Sequence, residues 1–147
     1  MAHTFTKHHF HIVFSTKGRE ELIVKEIRPR LWSYMIGISR KVGIIGLAIG
    51  GIEDHVHVLA ELPPAMTVPR AVNLLKSNSS RWLRQQGIKF AWQEGYSSFC
   101  VSASNLPAVK RYVLNQETHH RKMSLGDELL ILLRKHDIAF DQKDVFD

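Results

Sequence analysis

The chain has 147 residues, 44% of them hydrophobic, and a formal net charge of +6. That length can bury a core without staples, so a disulfide-stapled mini-domain is excluded and residues 1–147 are expected to form a single domain. The lone Cys100 rules out an intramolecular disulfide, and the longest uncharged run, 42–52, is too short and too rich in glycine to span a bilayer.

The N-terminal MAHTFTKHHFH has no apolar export segment, so a cytoplasmic protein without a membrane partner is expected. HHFHIVFSTK (8–17) alternates into β-branched and aromatic residues and reads as a first strand, closed by Gly18. Over 19–42, Leu22, Ile23, Ile27, Leu31, Met35 and Ile38 recur at a helical period, with Pro29 as a point of restart or kink. GIIGLAIGG (43–51) returns to strand; Gly50 and Gly51 are expected to turn the chain into an antiparallel partner, EDHVHVLAEL (53–62), ended by Pro63 and Pro64. Thr67 is the expected N-cap of a helix over 68–87, stopped by Gly87. YSSFCVSAS (96–104) is a fourth strand. Ser104 or Asn105 then caps a helix through residue 122 with Pro107 in its first turn, and an amphipathic segment over 125–136 packs on the body. This order predicts an α+β, ferredoxin-like (split βαβ) antiparallel sheet with additional C-terminal helices, the first carrying a tyrosine.

The charge is uneven along the chain. Residues 1–63 hold 8 Lys and Arg against 6 Asp and Glu, 64–122 hold 9 against 2, and 123–147 hold 3 against 6. A basic middle concentrates polyanions, which makes nucleic acid the leading partner, although a solvated basic face has the same composition. The acidic tail, 137–147, is no DNA arm; it packs or shields a site.

Within 53–62, strand geometry puts His55 and His57 on one face, and Val56, Val58 and Asp54 on the other. One face reads as core and the other as a site. Two imidazoles at alternate strand positions make a metal half-site, and they are equally compatible with hydrogen-bonded structure. On the helix over 105–122, Tyr112 and Gln116 stand four apart on one face, with His119 and His120 a turn further, beside an apolar stripe of Leu106, Val109 and Val113. Taken alone, Tyr112 reads better as a partly buried aromatic and Gln116 as surface.

The succession of DHVH (54–57), a basic helix, WQEGYSSFCVS (92–102) and VKRYVLNQETHHRK (109–122) resembles the HUH-type single-tyrosine transposases of the insertion-sequence-200/605-like family, which include REP-associated tyrosine transposases. The similarity runs from HIVFSTKGR to about residue 122. It implies that His55 and His57 are the paired metal ligands, Gln116 a third, and Tyr112 the nucleophile. It further implies a homodimer acting on single-stranded DNA with hairpins, through a 5′-phosphotyrosine link and a free 3′-hydroxyl. A cation that neutralises phosphate oxygens lowers the barrier to attack, and a mixed nitrogen and oxygen donor set suits Mg2+ or Mn2+.

Candidate DNA contacts are Lys17 and Arg19 after the first strand, Lys76, Ser80, Arg81 and Arg84 on the basic helix, and Lys110, Arg121 and Lys122 around the tyrosine helix. Trp82, Trp92 and Tyr96 are candidate stacking platforms, although tryptophans in a small domain are usually core. Two alternatives remain at this level: a non-catalytic RRM-like nucleic-acid-binding module using an exposed sheet, and a metal-dependent phosphodiesterase that activates water and tolerates loss of Tyr112.

Overall fold

In the computed structural model, which describes residues 3–146, four strands form one antiparallel sheet in the order β2-β3-β1-β4. They are β1 (His8–Ser15), β2 (Ile45–Gly51), β3 (His55–Leu62) and β4 (Ser97–Cys100). Helix α1 (Arg28–Lys41) joins β1 to β2 and α2 (Val68–Gln85) joins β3 to β4, which is the split βαβ arrangement. Helices α3 (Leu106–Leu114), α4 (Gln116–His119), α5 (Leu125–Lys135) and α6 (Gln142–Phe146) follow. Met1, Ala2 and Asp147, the ends of the expected domain and of its acidic tail, lie outside the described residues. Among the described residues, no helix is long and apolar enough to cross a membrane.

Strand alternation sends the two sheet faces to different layers. Ile12, Phe14, Val56, Val58, Ala60 and Leu62 meet Leu31 and Met35 of α1 and Ala71, Val72, Leu75 and Leu83 of α2 in the main core. On the opposite face, Val13 and Phe99 pack on Leu125, Leu129 and Leu132 of α5, and Ala48 and Leu59 pack on Val113 of α3. Both faces are therefore covered, and His55 and His57 are 0% exposed rather than facing solvent. The cause is that α3 and α5 carry apolar stripes of their own, each buried side chain contributing about 1.5–3 kcal/mol when removed from water.

Local expectations change at four places, the first being the fourth strand, which ends at Cys100 rather than Ser104 because Ala103–Asn105 turn as a 3-10 helix into α3. The helix expected over 19–42 begins at Arg28: Gly18 and Arg19 both take positive φ (64° and 54°), and Pro29 sits in the first turn, where its missing N–H costs nothing. Ile23 and Ile27 are still buried, but from an irregular segment that Ile23 N–H ties to Glu53 O at 2.9 Å. The β2–β3 turn is 52–54, closed by Ile52 N–H to His55 O at 3.2 Å, and Gly50 and Gly51 belong to β2. The helix expected over 105–122 is broken at Asn115 (φ −103°, ψ 21°) into α3 and α4, and α3 starts without a side-chain cap from Asn105. Thr67, by contrast, caps α2 as expected by accepting the Arg70 N–H.

Candidate active site

His55 and His57 enter from β3 on the face beneath α3 and α5. Asp54 is not aimed at the opposite face: just before the strand, its Oδ1 accepts from His55 Nδ1 at 2.7 Å. That hydrogen bond turns His55 Nε2 inward, where it is buried without a hydrogen-bond partner. Burial alone would raise the Asp54 carboxyl, but the His55 hydrogen bond together with the charges of His55 and His120 outweighs it and holds the group below its ordinary value.

Helix α3 reaches the same face because β2 lets it approach. Gly50 pairs with His57 in the sheet, and a Cβ built on Gly50 would collide with the Val113 carbonyl oxygen. The neighbouring Tyr112 projects its ring onto His57 and His11, with centroids 5.7 and 5.8 Å away. Across the break at Asn115, Gln116 is only 1% exposed; its Nε2 donates to Tyr112 O at 2.9 Å and its Oε1 is buried without a partner.

The residue that joins these groups is Glu128, on α5 and 1% exposed. Its Oε1 accepts from His57 Nε2 at 2.9 Å and from His120 Nε2 at 3.2 Å, and lies 3.6 Å from His55 Nε2. Its Oε2 accepts from the Tyr112 hydroxyl and lies 3.1 Å from His119 Nε2, itself 3.5 Å from that hydroxyl. Burial would raise the Glu128 carboxyl, yet hydrogen bonds from His120 and His57 hold it far below the carboxylate range. Burial and then Glu128 push the Tyr112 phenol above its ordinary value, so it stays protonated here. Burial draws His57 down to about 4 despite Glu128, whereas Glu128 raises His120 against the effect of its burial.

The donor set fits a divalent cation. Ligand atoms of His55, His57, His120 and Glu128 all lie within 4.8 Å of one another. Each imidazole has its far nitrogen engaged: His55 Nδ1 by Asp54, His57 Nδ1 by His11 Nε2 at 2.7 Å, and His120 Nδ1 by Met123 O at 2.6 Å. Such outer partners orient rings that bind metals. The orphaned His55 Nε2 and Gln116 Oε1 add two buried lone pairs that lack a hydrogen-bond partner. Three imidazoles and a carboxylate exceed the pair and amide read from the sequence.

The expected DNA contacts are dispersed. Arg81 and Arg84 are exposed on α2, across the sheet from the histidines, with Arg81 bonded to Asn78 and Arg84 to Phe90 O; Ser80 is half-buried and donates to Ser77 O at 3.3 Å. Lys76 on the same helix is half-buried and donates to Gln93 O and Gly95 O at 2.7 and 2.6 Å, so it pins the 93–95 loop. Lys110, Arg121 and Lys122 are exposed, and Lys122 lines a surface hollow with Tyr112; Lys17 is exposed beyond β1, while Arg19 donates to Val145 O. Trp92 is a core aromatic, edge-on to Phe14 and Phe90 with its indole N–H on Ser79; Trp82 stacks on Tyr34, and Tyr96 is 41% exposed. A cavity of about 380 Å3, walled by Phe99, Val101, Val109 and Leu132, opens beside the Tyr112 hydroxyl.

Three participants had no role in the sequence reading. Glu128 was findable: three residues after Leu125 and four before Leu132, it is a carboxylate on an apolar stripe. His11 shares its strand face with Val13 and was a similar polar exception. His120 was visible only as a neighbour of Gln116.

Residues 4–116 match the family model described as Transposase IS200 like. The transposase for insertion sequence element IS200 of Salmonella typhimurium is 29% identical over 139 residues, 89% of each chain. The ISDra2 transposase TnpA of Deinococcus radiodurans is 24% identical over 115 residues, 73% of this chain and 82% of that protein. A crystallised Deinococcus radiodurans protein assigned as a transposase superposes with a TM-score of 0.61 at 25% identity, over 79% of this chain and 95% of that one. A REP-associated tyrosine transposase bound to a REP hairpin has the same TM-score at 14% identity, over 82% and 73%, a likeness of fold.

Proposed function

The chain belongs to the IS200-like transposase family, and from that premise we propose that it cleaves and rejoins single-stranded DNA beside hairpins at element ends. In this reading it works in the cytoplasm as a homodimer of 1–147 domains, and the DNA is held covalently on Tyr112 during strand exchange. The observation that carries the reading is Glu128: one carboxylate touches both the Tyr112 hydroxyl and His57. A nucleophile and a cation-capable donor set thus share a single pocket.

A divalent cation, Mg2+ or Mn2+, held by His55, His57 and Gln116 with His120 and Glu128 as further donors, neutralises phosphate oxygens when bound. The chain's own residues do the rest. Tyr112 attacks the phosphorus through its phenolic oxygen, and its proton has two acceptors in reach, Glu128 Oε2 and His119 Nε2. The phosphorus–O3′ bond breaks, the departing oxygen takes up a proton as a 3′-hydroxyl, and a 5′-phosphotyrosine remains. Attack on that ester by the 3′-hydroxyl of another strand returns the proton to Tyr112 and joins DNA without ATP. Exposed Lys122, which shares a surface hollow with the tyrosine, is a phosphate contact beside it, and the exposed Lys110 and Arg121 add positive charge to the same segment.

The test is incubation with single-stranded hairpin DNA and Mn2+, read as an SDS-resistant protein–DNA adduct. Tyr112→Phe should abolish the adduct and cleavage together. Cleavage that survives in this variant would favour the water-activating phosphodiesterase. The RRM-like alternative is disfavoured because the sheet face needed for stacking is covered by α3 and α5.

A further inference from the structure

His55 and His120 are held by groups that only accept: Asp54 Oδ1 takes the proton of His55 Nδ1 and Met123 O that of His120 Nδ1. Their Nδ1 protons are thereby fixed. His57 differs. Its Nδ1 faces another imidazole, His11 Nε2, at 2.7 Å, with ring centroids 5.0 Å apart and planes inclined by 27°. An imidazole nitrogen either donates or accepts, depending on its tautomer.

The other side of His57 fixes the present arrangement. Its Nε2 lies 2.9 Å from Glu128 Oε1, and an ionised carboxylate only accepts, so Nε2 carries the proton. Nδ1 of the neutral ring is then an acceptor, and His11 Nε2 donates to it. A cation bound by His57 requires the reverse, since Nε2 must offer its lone pair and Nδ1 must carry the proton. His11 Nε2 must then accept.

We propose that His11 is a positioning residue whose ambivalent imidazole lets His57 exchange tautomers, donating from Nε2 to Glu128 in one state and presenting a bare Nε2 to a divalent cation in the other. The proton balance closes. The His57 Nε2 proton leaves to solvent, the proton between the two rings moves from His11 Nε2 to His57 Nδ1, and His11 regains one at Nδ1 from the water-accessible cavity it lines. Each ring keeps one proton throughout. His11 is suited to this because it is 4% exposed and enclosed by His57, Phe99 and Tyr112, with the latter two centroids 5.9 and 5.8 Å away, which fixes its orientation.

The inference rests on the cation reading of this site, and the experiment separates the two. Histidine 15N NMR of the full chain at pH 7.5, with and without Zn2+ as a diamagnetic probe, reads each tautomer, and calorimetry reads the dissociation constant. The wild type should show His57 as Nε2–H without Zn2+ and as Nδ1–H with it. His11→Phe, which keeps a ring but neither donates nor accepts, should weaken Zn2+ binding about 10–100-fold. His11→Gln, whose amide can turn to donate or accept, should stay within about threefold of wild type by the same logic. One unchanging His57 tautomer in the wild type, or a folded His11→Phe chain that binds Zn2+ normally, overturns the proposal. If His11→Phe does not fold, the wild-type spectra and His11→Gln decide. A wild-type chain that takes up no Zn2+ refutes the cation site itself; the metal-free spectrum then judges His11, with Nε2–H on both rings upholding its donor role and any other pattern removing it.

Discussion

Gly50→Ala tests whether the packing of α3 on β2 sets the site. The added Cβ would run into the Val113 carbonyl oxygen and lie 3.1 Å from the Val113 carbonyl carbon and 3.5 Å from Leu114 Cα. These are backbone atoms, so no rotamer change relieves the clash. Restoring ordinary contact at about 3.5 Å to the Val113 carbonyl oxygen requires α3 to lift by more than about 1 Å. Overpacking of this kind costs about 1–3 kcal/mol. For a chain of this size that lowers Tm by about 3–10 °C. Tyr112 precedes the displaced carbonyl, and misplacing a reactive group by about 1 Å costs on the order of 10²-fold in rate. Calorimetry and the adduct assay on hairpin DNA should therefore show a modest loss of stability and a disproportionate loss of adduct. Gly37→Ala is the control: nothing lies within 4 Å of its Cβ, and the change should stabilise α1 by about 0.5–1 kcal/mol. Wild-type stability and rate in Gly50→Ala would refute the close approach. A lower Tm with full activity would refute its link to the site.

Three other outcomes are expected. Glu128→Gln, which exchanges a buried carboxylate for an amide among His57, His120 and Tyr112, should lose about 1–3 kcal/mol in denaturant titrations. Mn2+ at about 100 times its dissociation constant should add about 2.7 kcal/mol to wild-type stability, and His57→Ala should remove the Tm shift. Stability should fall as pH drops from 6.5 towards 4: His57 and His11, drawn by burial to about 4 and about 3, bind fewer protons folded than unfolded across that window. His120, shifted upward, offsets part of this, and a Tm that rises over the same acidification would contradict the assignment.

How much was legible follows from the range of each interaction. Strand alternation, the Thr67 cap and the helical periods are local, and they suffice for four strands, two crossover helices and the order of a split βαβ sheet. Pro29 was ambiguous because a proline inside an apolar period and a proline opening a helix look alike until the preceding residues are seen to leave the helix. The break at Asn115 was hidden for a similar reason: Tyr112 and Gln116 kept helical spacing while the backbone between them did not.

The site divides along the same line. Alternation by itself determined that His55 and His57 share a face, because the period of a strand belongs to the backbone. The family resemblance pointed to Tyr112 and Gln116. Only tertiary structure decided that α5 brings Glu128 between the imidazoles and the phenol, that His11 stands behind His57, and that Gly50 admits α3. Residues 11, 50, 57, 112 and 128 are far apart in sequence, and their meeting depends on which apolar stripes bury which sheet face. Burial is a non-directional drive summed over the whole chain, so no local window contains it.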